Sequence, residues 1–155
     1  MIIRTAITAD AAAMTALQNR IIAIGGTTAH QTPRTEAQMR DTDLDGPGVI
    51  SSVVAEDQGQ IIGWQSLSNW NGDVHIGTFV QPGLQAKGVG GALFALTRDN
   101  ARAAGVKSIV AYIRADNLPG LAYYTRIGFV EYESDPVFAL NDGRIVGRTH
   151  SRLDI

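Results

Sequence analysis

The chain has 155 residues, 45% of them apolar, which suits one domain with a buried core. Its formal charge of −2 is scattered without runs of one sign, which argues against a nucleic-acid backbone or an anionic membrane as partner and favours small ligands. It contains no cysteine, which excludes disulfides, thiolate metal sites and a covalent thioester on the protein, and it lacks the run of about 18 apolar residues that a membrane helix needs, so the expectation is a soluble, unprocessed, cytoplasmic protein.

Ile2 to Ala6 predicts a short strand, and Met14, Leu17, Ile21 and Ile24 then recur at helical spacing behind Asp10, a capping residue type. "GGTTAHQTPRT", Gly25 to Thr35, is a polar, turn-rich loop long enough to carry function, followed by one or two helical turns from about Thr35. From Val49, "VISSVVAED", "QIIGWQSLSNW" and "DVHIGTFV" are β-type runs joined by "QG" and "NGD", which predicts an antiparallel meander. After a glycine cluster comes a helix with Val89, Ala92, Leu93, Leu96 and Ala103 on its apolar face, opposite Arg98, Asp99 and Arg102, ending at Gly105. Ser108 to Ala115 reads as a strand, Asp116 or Asn117 as the cap of a short helix with Pro119 in its first turn, and Gly128 as its stop. Two further β-type runs around "NDG" predict a terminal hairpin. The order is β-α-(α)-β-β-β-α-β-α-β-β, a single α+β domain over residues 1–155 with no repeat or linker.

The glycine cluster in "TFVQPGLQAKGVGGALFAL" sits between a strand and a helix, where converging N–H groups and a helix dipole suit a phosphate. A dinucleotide G-x-G-x-x-G frame from Gly88 puts Leu93 at the third glycine, and a P-loop frame from Gly83 and Gly88 puts Val89 where lysine is needed. The remaining frame is Gln85-Ala86-Lys87-Gly88-Val89-Gly90, extended by Gly91. It resembles the pyrophosphate loop, R/Q-x-x-G-x-G/A, of the Gcn5-related N-acetyltransferases (GNAT). Downstream, "NLPGLAYYTRIGF" is similar to the same family's N-x-x-A-x-x-L-Y-x-K/R-x-G-F segment, with Gly120 for alanine and Tyr123 for leucine. Within the family, "TTAHQTPRT" and "GRTHSRLDI" look most like the phosphinothricin and methionine-sulfoximine acetyltransferase branch.

The resemblance implies a central mixed, mostly antiparallel sheet with a splayed strand, flanked by about four helices. It implies acetyl-CoA as co-substrate, no metal, and direct transfer in a ternary complex to the amine of a small, amino-acid-like molecule, by a homodimer. Cofactor contacts then fall on the backbone of Thr78, Phe79 and Val80, on Gln85, Ala86, Lys87, Gly88, Val89, Gly90 and Gly91, and on Asn117 and Arg126. Outside the resemblance, Asn117 reads as a helix cap and Arg126 as a surface residue. Tyr124 is the candidate general acid toward the departing thiolate, since a phenol of pKa about 10 is protonated at neutral pH; its alternative is a core tyrosine.

An amine must lose a proton before it attacks, and the central strand carries His75 where the resembling branch is expected to have a glutamate. His30 similarly replaces a glutamate in the long loop, so both are candidate bases or else hydrogen-bonded structural residues. Ser68, Asn69 and Trp70 end the strand beside the expected acceptor pocket and are candidate substrate contacts. The three histidines lack the short ligand spacing of a metal site. The competing readings are a non-catalytic acetyl-CoA sensor and a protein lysine or N-terminal acetyltransferase.

Overall fold

The computed structural model describes residues 1–84 and 87–155. Among them, seven strands form one sheet in the order β1-β2-β3-β4-β5-β7-β6, namely β1 (Ile2–Thr5), β2 (Val49–Asp57), β3 (Gln60–Trp70), β4 (Asp73–Val80), β5 (Ser108–Arg114), β6 (Val130–Asp135) and β7 (Arg148–Asp154). Every neighbour is antiparallel except β4 and β5. The hairpins at Gln58-Gly59 and Asn71-Gly72 have positive φ at both residues, the turn whose twist matches the flanking strands.

Helices α1 (Ala11–Ile24) and α2 (Glu36–Met39) cover one face, and α3 (Val89–Ala103) and α4 (Leu118–Arg126) are set against the other. Because both faces are covered, β2 and β3 are buried at consecutive residues, 51–55 and 62–67. On the α1 side, Met14, Leu17, Met39, Leu44, Val54 and Trp64 form one cluster, with the Trp64 indole N–H donating to Met14 O at 3.1 Å. On the other side, Leu67, Ile76, Phe94, Ile109, Tyr124 and Phe129 pack together.

The element order matches the expectation, with local corrections. The buried stripe of α3 is Val89, Leu93, Thr97 and Ala101 with Gly90 and Phe94, so Ala103 is exposed: the i, i+4 row faces the sheet. Ile24 is exposed at the end of α1. Asp10 does not cap α1 with its side chain; its carboxylate accepts from Arg4 Nη1 (2.8 Å), Arg4 Nη2 (2.9 Å) and the N–H of Ile7 (2.8 Å). Asn117, not Asp116, caps α4, accepting the N–H of Gly120 at 3.0 Å. The terminal hairpin bends: an isolated Ala139–Ile145 bridge holds its "NDG" tip, and β7 inserts between β5 and β6.

Candidate active site

Strand β4 stays paired to β3 from Asp73 to Val80 but meets β5 only at His75↔Val110. The sheet therefore opens after His75, in the stretch that contains Thr78, Phe79 and Val80. Side chains alternate across this opening. Gly77 and Phe79 face α1, where Phe79 stacks on Trp64 with ring centroids 4.7 Å apart, while Ile76 and Thr78 face α3 and α4.

Beyond β4, the N-cap of α3 is Gly88, whose φ of +82° suits glycine and which has no side chain to cap the helix. A Cβ at Gly88 or Gly91 would meet nothing within 4 Å, so the backbone is open to approach there. Lys87 is exposed, with its N–H donated to Leu84 O at 3.1 Å. Val89, by contrast, is buried and packs its side chain against Gly63, which leaves only its backbone to a ligand. Gln85 and Ala86 lie outside the described residues. Asn117 has a double use, since its amide nitrogen also donates to Thr27 O at 3.3 Å. Arg126 is exposed, its guanidinium 5.9 Å from the Tyr123 ring centre.

A buried polar chain crosses from β3 to α3 and α4. Tyr123 donates its hydroxyl to Gly90 O at 2.8 Å, so the Gln65 atom 3.0 Å from that hydroxyl must be a donor, which fixes Nε2 there. The same Nε2 donates to Thr78 Oγ1 at 2.9 Å, and Thr78 Oγ1 lies 2.9 Å from the Tyr124 hydroxyl. With Thr78 donating onward, the Tyr124 proton is free for another acceptor. Burial pushes the Tyr123 phenol up to about 12 and the Tyr124 phenol further still.

On the α1 side of the opening, a cavity of about 430 Å³ brings together His30, His75, Ser68, Asn69 and Trp70, all predicted from the sequence. Desolvation is the main force holding both histidines below the usual imidazole range; Arg34 adds to it at His30, as do Arg148 and His150 at His75. His75 Nε2 is buried without a hydrogen-bond partner, and the ring stands edge-to-face with Trp70 (5.0 Å) and Tyr112 (4.8 Å). His30 is exposed at the rim. His150 belongs elsewhere: it is buried between Glu133 (Nδ1, 3.0 Å) and Arg148 (Nε2, 2.9 Å) and stacks on Tyr112. No cluster of metal-ligand side chains occurs among the described residues.

Several residues of the site were not foreseen. Arg34 and Asp43 line the same cavity as an ion pair at 2.9 Å, and Asp43 also accepts from Ser66 Oγ and Thr42 Oγ1, each at 2.6 Å. Asp43 sits on a π-helical turn, Arg40–Leu44, that continues α2. Its partners come from three separate segments, and no spacing in the sequence announces them. Gln65 did leave a signal, a polar residue inside the apolar run "IIGWQSL".

The comparisons with known proteins agree with this geometry. Residues 17–129 match the model of the acetyltransferase (GNAT) family. The chain is 28% identical to the L-methionine sulfoximine/L-methionine sulfone acetyltransferase of Salmonella typhimurium, over all of this chain and 95% of that one. It spans only 21% of the mycothiol acetyltransferase of Streptomyces scabiei, to which 43% of this chain aligns at 36% identity. The structure of yncA from Salmonella typhimurium, solved with acetyl-CoA, superposes with a TM-score of 0.86 at 25% identity, covering 99% of this chain and 93% of that one. A phosphinothricin acetyltransferase from Sinorhizobium meliloti, at 23% identity, shares the fold with a TM-score of 0.87, covering 99% of this chain and 88% of that one. A sheet opened after His75, an uncapped glycine-led helix beside the opening and a family model covering most of the chain all point one way: this chain belongs to the GNAT family of acetyltransferases.

Proposed function

We propose that the protein is an acetyl-CoA-dependent N-acetyltransferase that moves an acetyl group to the amine of a small, amino-acid-like molecule in a ternary complex. The observation that carries this reading is the opening of the sheet after His75. Tyr124 meets β4 at Thr78 on one face of this opening, with the α3 N-terminus following β4, and the histidine-lined cavity takes in His75 at its start. The amides of Gly88 to Gly91 would hold the pyrophosphate, and the backbone of Thr78 to Val80 the pantetheine arm, with an N–H for the oxyanion. Acetyl-CoA supplies the activated acyl thioester.

His75 or His30 takes a proton from the acceptor ammonium, directly or through a water, and the neutral nitrogen attacks the thioester carbonyl. The C–N bond forms, the C–S bond breaks, Tyr124 gives its proton to the thiolate, and the second proton of the acylated nitrogen returns through solvent to the tyrosinate, which leaves a neutral amide and a protonated phenol. Ser68, Asn69 and Trp70 would hold the acceptor, and Asn117 and Arg126 would border the cofactor. We further assign the whole 155-residue chain to one catalytic domain, acting in the cytoplasm as a homodimer. The dimer reading is supported by the resemblance to the phosphinothricin branch and by Val130, Tyr132, Val137 and Ile145, which are exposed on β6 and the hairpin beyond it.

Calorimetric titration with acetyl-CoA tests the cofactor site. The wild type should bind, and Gly88→Val, strained at φ +82°, should lose that binding while retaining its fold by circular dichroism. No binding by the wild type would contradict the reading.

A further inference from the structure

The acceptor cavity has an unusual charge balance. Its lining contains one arginine, Arg34, and two carboxylates, Asp41 and Asp43. Both terminal nitrogens of Arg34 are engaged: Nη1 reaches Asp43 Oδ2 (2.9 Å) and Gln18 Oε1 (3.2 Å), and Nη2 reaches Thr42 Oγ1 (2.6 Å) and Gln38 O (3.2 Å). These bonds tie α1, α2 and the π-helical turn together, so the guanidinium cannot turn to a ligand without breaking them. The other cations nearby are committed too. Arg114 holds Asp116 and Thr28 O, and Arg148 lies over Tyr112 and Phe138 while donating to His150. Both histidines of the lining favour the neutral form through desolvation. Among the described residues, no cation without a carboxylate partner lines this cavity, which leaves an acceptor carboxylate only neutral donors such as Ser68 and Asn69, and Asp41, exposed on the lining, repels it.

We infer that the acceptor is a primary amine whose carboxyl group is absent or masked as an amide, with an apolar or aromatic substituent resting against Trp70. This rests on the transferase reading above and narrows its substrate class. A free carboxylate brought into such a site would lose part of its water, meet no unpaired cation and face a like charge, whereas an ammonium gains from the same field. Trp70 is 53% exposed and stands edge-to-face with His75, so its indole offers a flat apolar surface beside the base candidates.

The test compares L-phenylalanine, L-phenylalaninamide and phenethylamine as acceptors with acetyl-CoA. Thiol release and acetylated product are followed, and rates are referred to the neutral-amine fraction at each pH. The amide and the amine should exceed the free amino acid in kcat/KM by about tenfold or more. Asp43→Asn, which releases Arg34, should narrow that ratio, and so should Asp41→Asn, which removes a charge but no hydrogen bond seen here and so guards against misfolding in the first variant. Equal or better use of the free amino acid by the wild type overturns the inference, as does a ratio unchanged in both variants. Absence of transfer to any acceptor while acetyl-CoA binds instead defeats the transferase reading, and the inference falls with it.

Discussion

A Cβ built on Gly90, in the first turn of α3, would lie 2.6 Å from Cε1 of Tyr123. The glycine is thus required by the aromatic ring that occupies the family's leucine position, and the ring is held by its own bond to Gly90 O. Gly90→Ala should lower stability by about 1–3 kcal/mol through overpacking, and Tyr123→Leu should restore most of it. Thermal unfolding of the two single variants and the double variant checks this. Additive losses would contradict the pairing.

Tyr124→Phe should keep acetyl-CoA affinity and lower kcat by about 10²-fold, since only the proton donor is lost. Thr78→Val should also lower kcat, by a smaller factor, because Thr78 Oγ1, which accepts from Gln65, holds the Tyr124 hydroxyl at 2.9 Å. Calorimetry alongside steady-state kinetics separates the two effects. If both variants turn over like the wild type, Tyr124 is a core tyrosine and nothing more.

The acidic limb of the kcat/KM profile should fall below the ordinary imidazole value of about 6.5, because desolvation lowers both candidate bases and a base works only when unprotonated. His75→Ala or His30→Ala should remove this limb, identifying which imidazole acts. Tyrosine ionisation should contribute no basic limb below about pH 10, since burial moves Tyr123 and Tyr124 upward. Acceptors of differing amine pKa distinguish the enzyme's limb from the substrate's. A limb that follows the acceptor alone would remove both histidines from the mechanism.

Asp10→Asn should destabilise the fold by about 1–3 kcal/mol at neutral pH, because its carboxylate accepts two Arg4 bonds and the Ile7 N–H while almost buried. The hydrogen bond from Arg4 is the main influence lowering its pKa, so its contribution is complete above the unfolded carboxylate value and fades as pH falls through the lower folded one. The gap between wild type and variant in denaturant melts should therefore shrink in acid. A gap constant from neutral pH to strong acid would contradict this role.

Much of the fold was legible because its signals are local. Paired positive-φ turns at Gln58-Gly59 and Asn71-Gly72, alternation in β4 and the glycine before α3 each act within a few residues. The structure gathers His30, His75, Ser68, Asn69 and Trp70, which lie far apart in the sequence, around one cavity, and sets Tyr124 against Thr78. Long-range partnerships were not legible. Arg34 and Asp43 are two of many scattered charges until α2 folds into a π-helical turn, and the face of α3 shifted because Phe94 and Thr97, not Ala103, meet the sheet. The glycine at 120 became intelligible only in three dimensions: a Cβ there would collide with the Asn117 side chain that caps α4.

The most direct test of the whole account is acceptor-dependent thiol release from acetyl-CoA by the purified protein, with the acceptor's gain of one acetyl group read by mass spectrometry. The account predicts release that depends on a small primary amine, matches the acetylated product in amount and drops sharply in Tyr124→Phe. Thiol release that ignores the amine, or acetyl-CoA bound with no product from any amine tested, would contradict it.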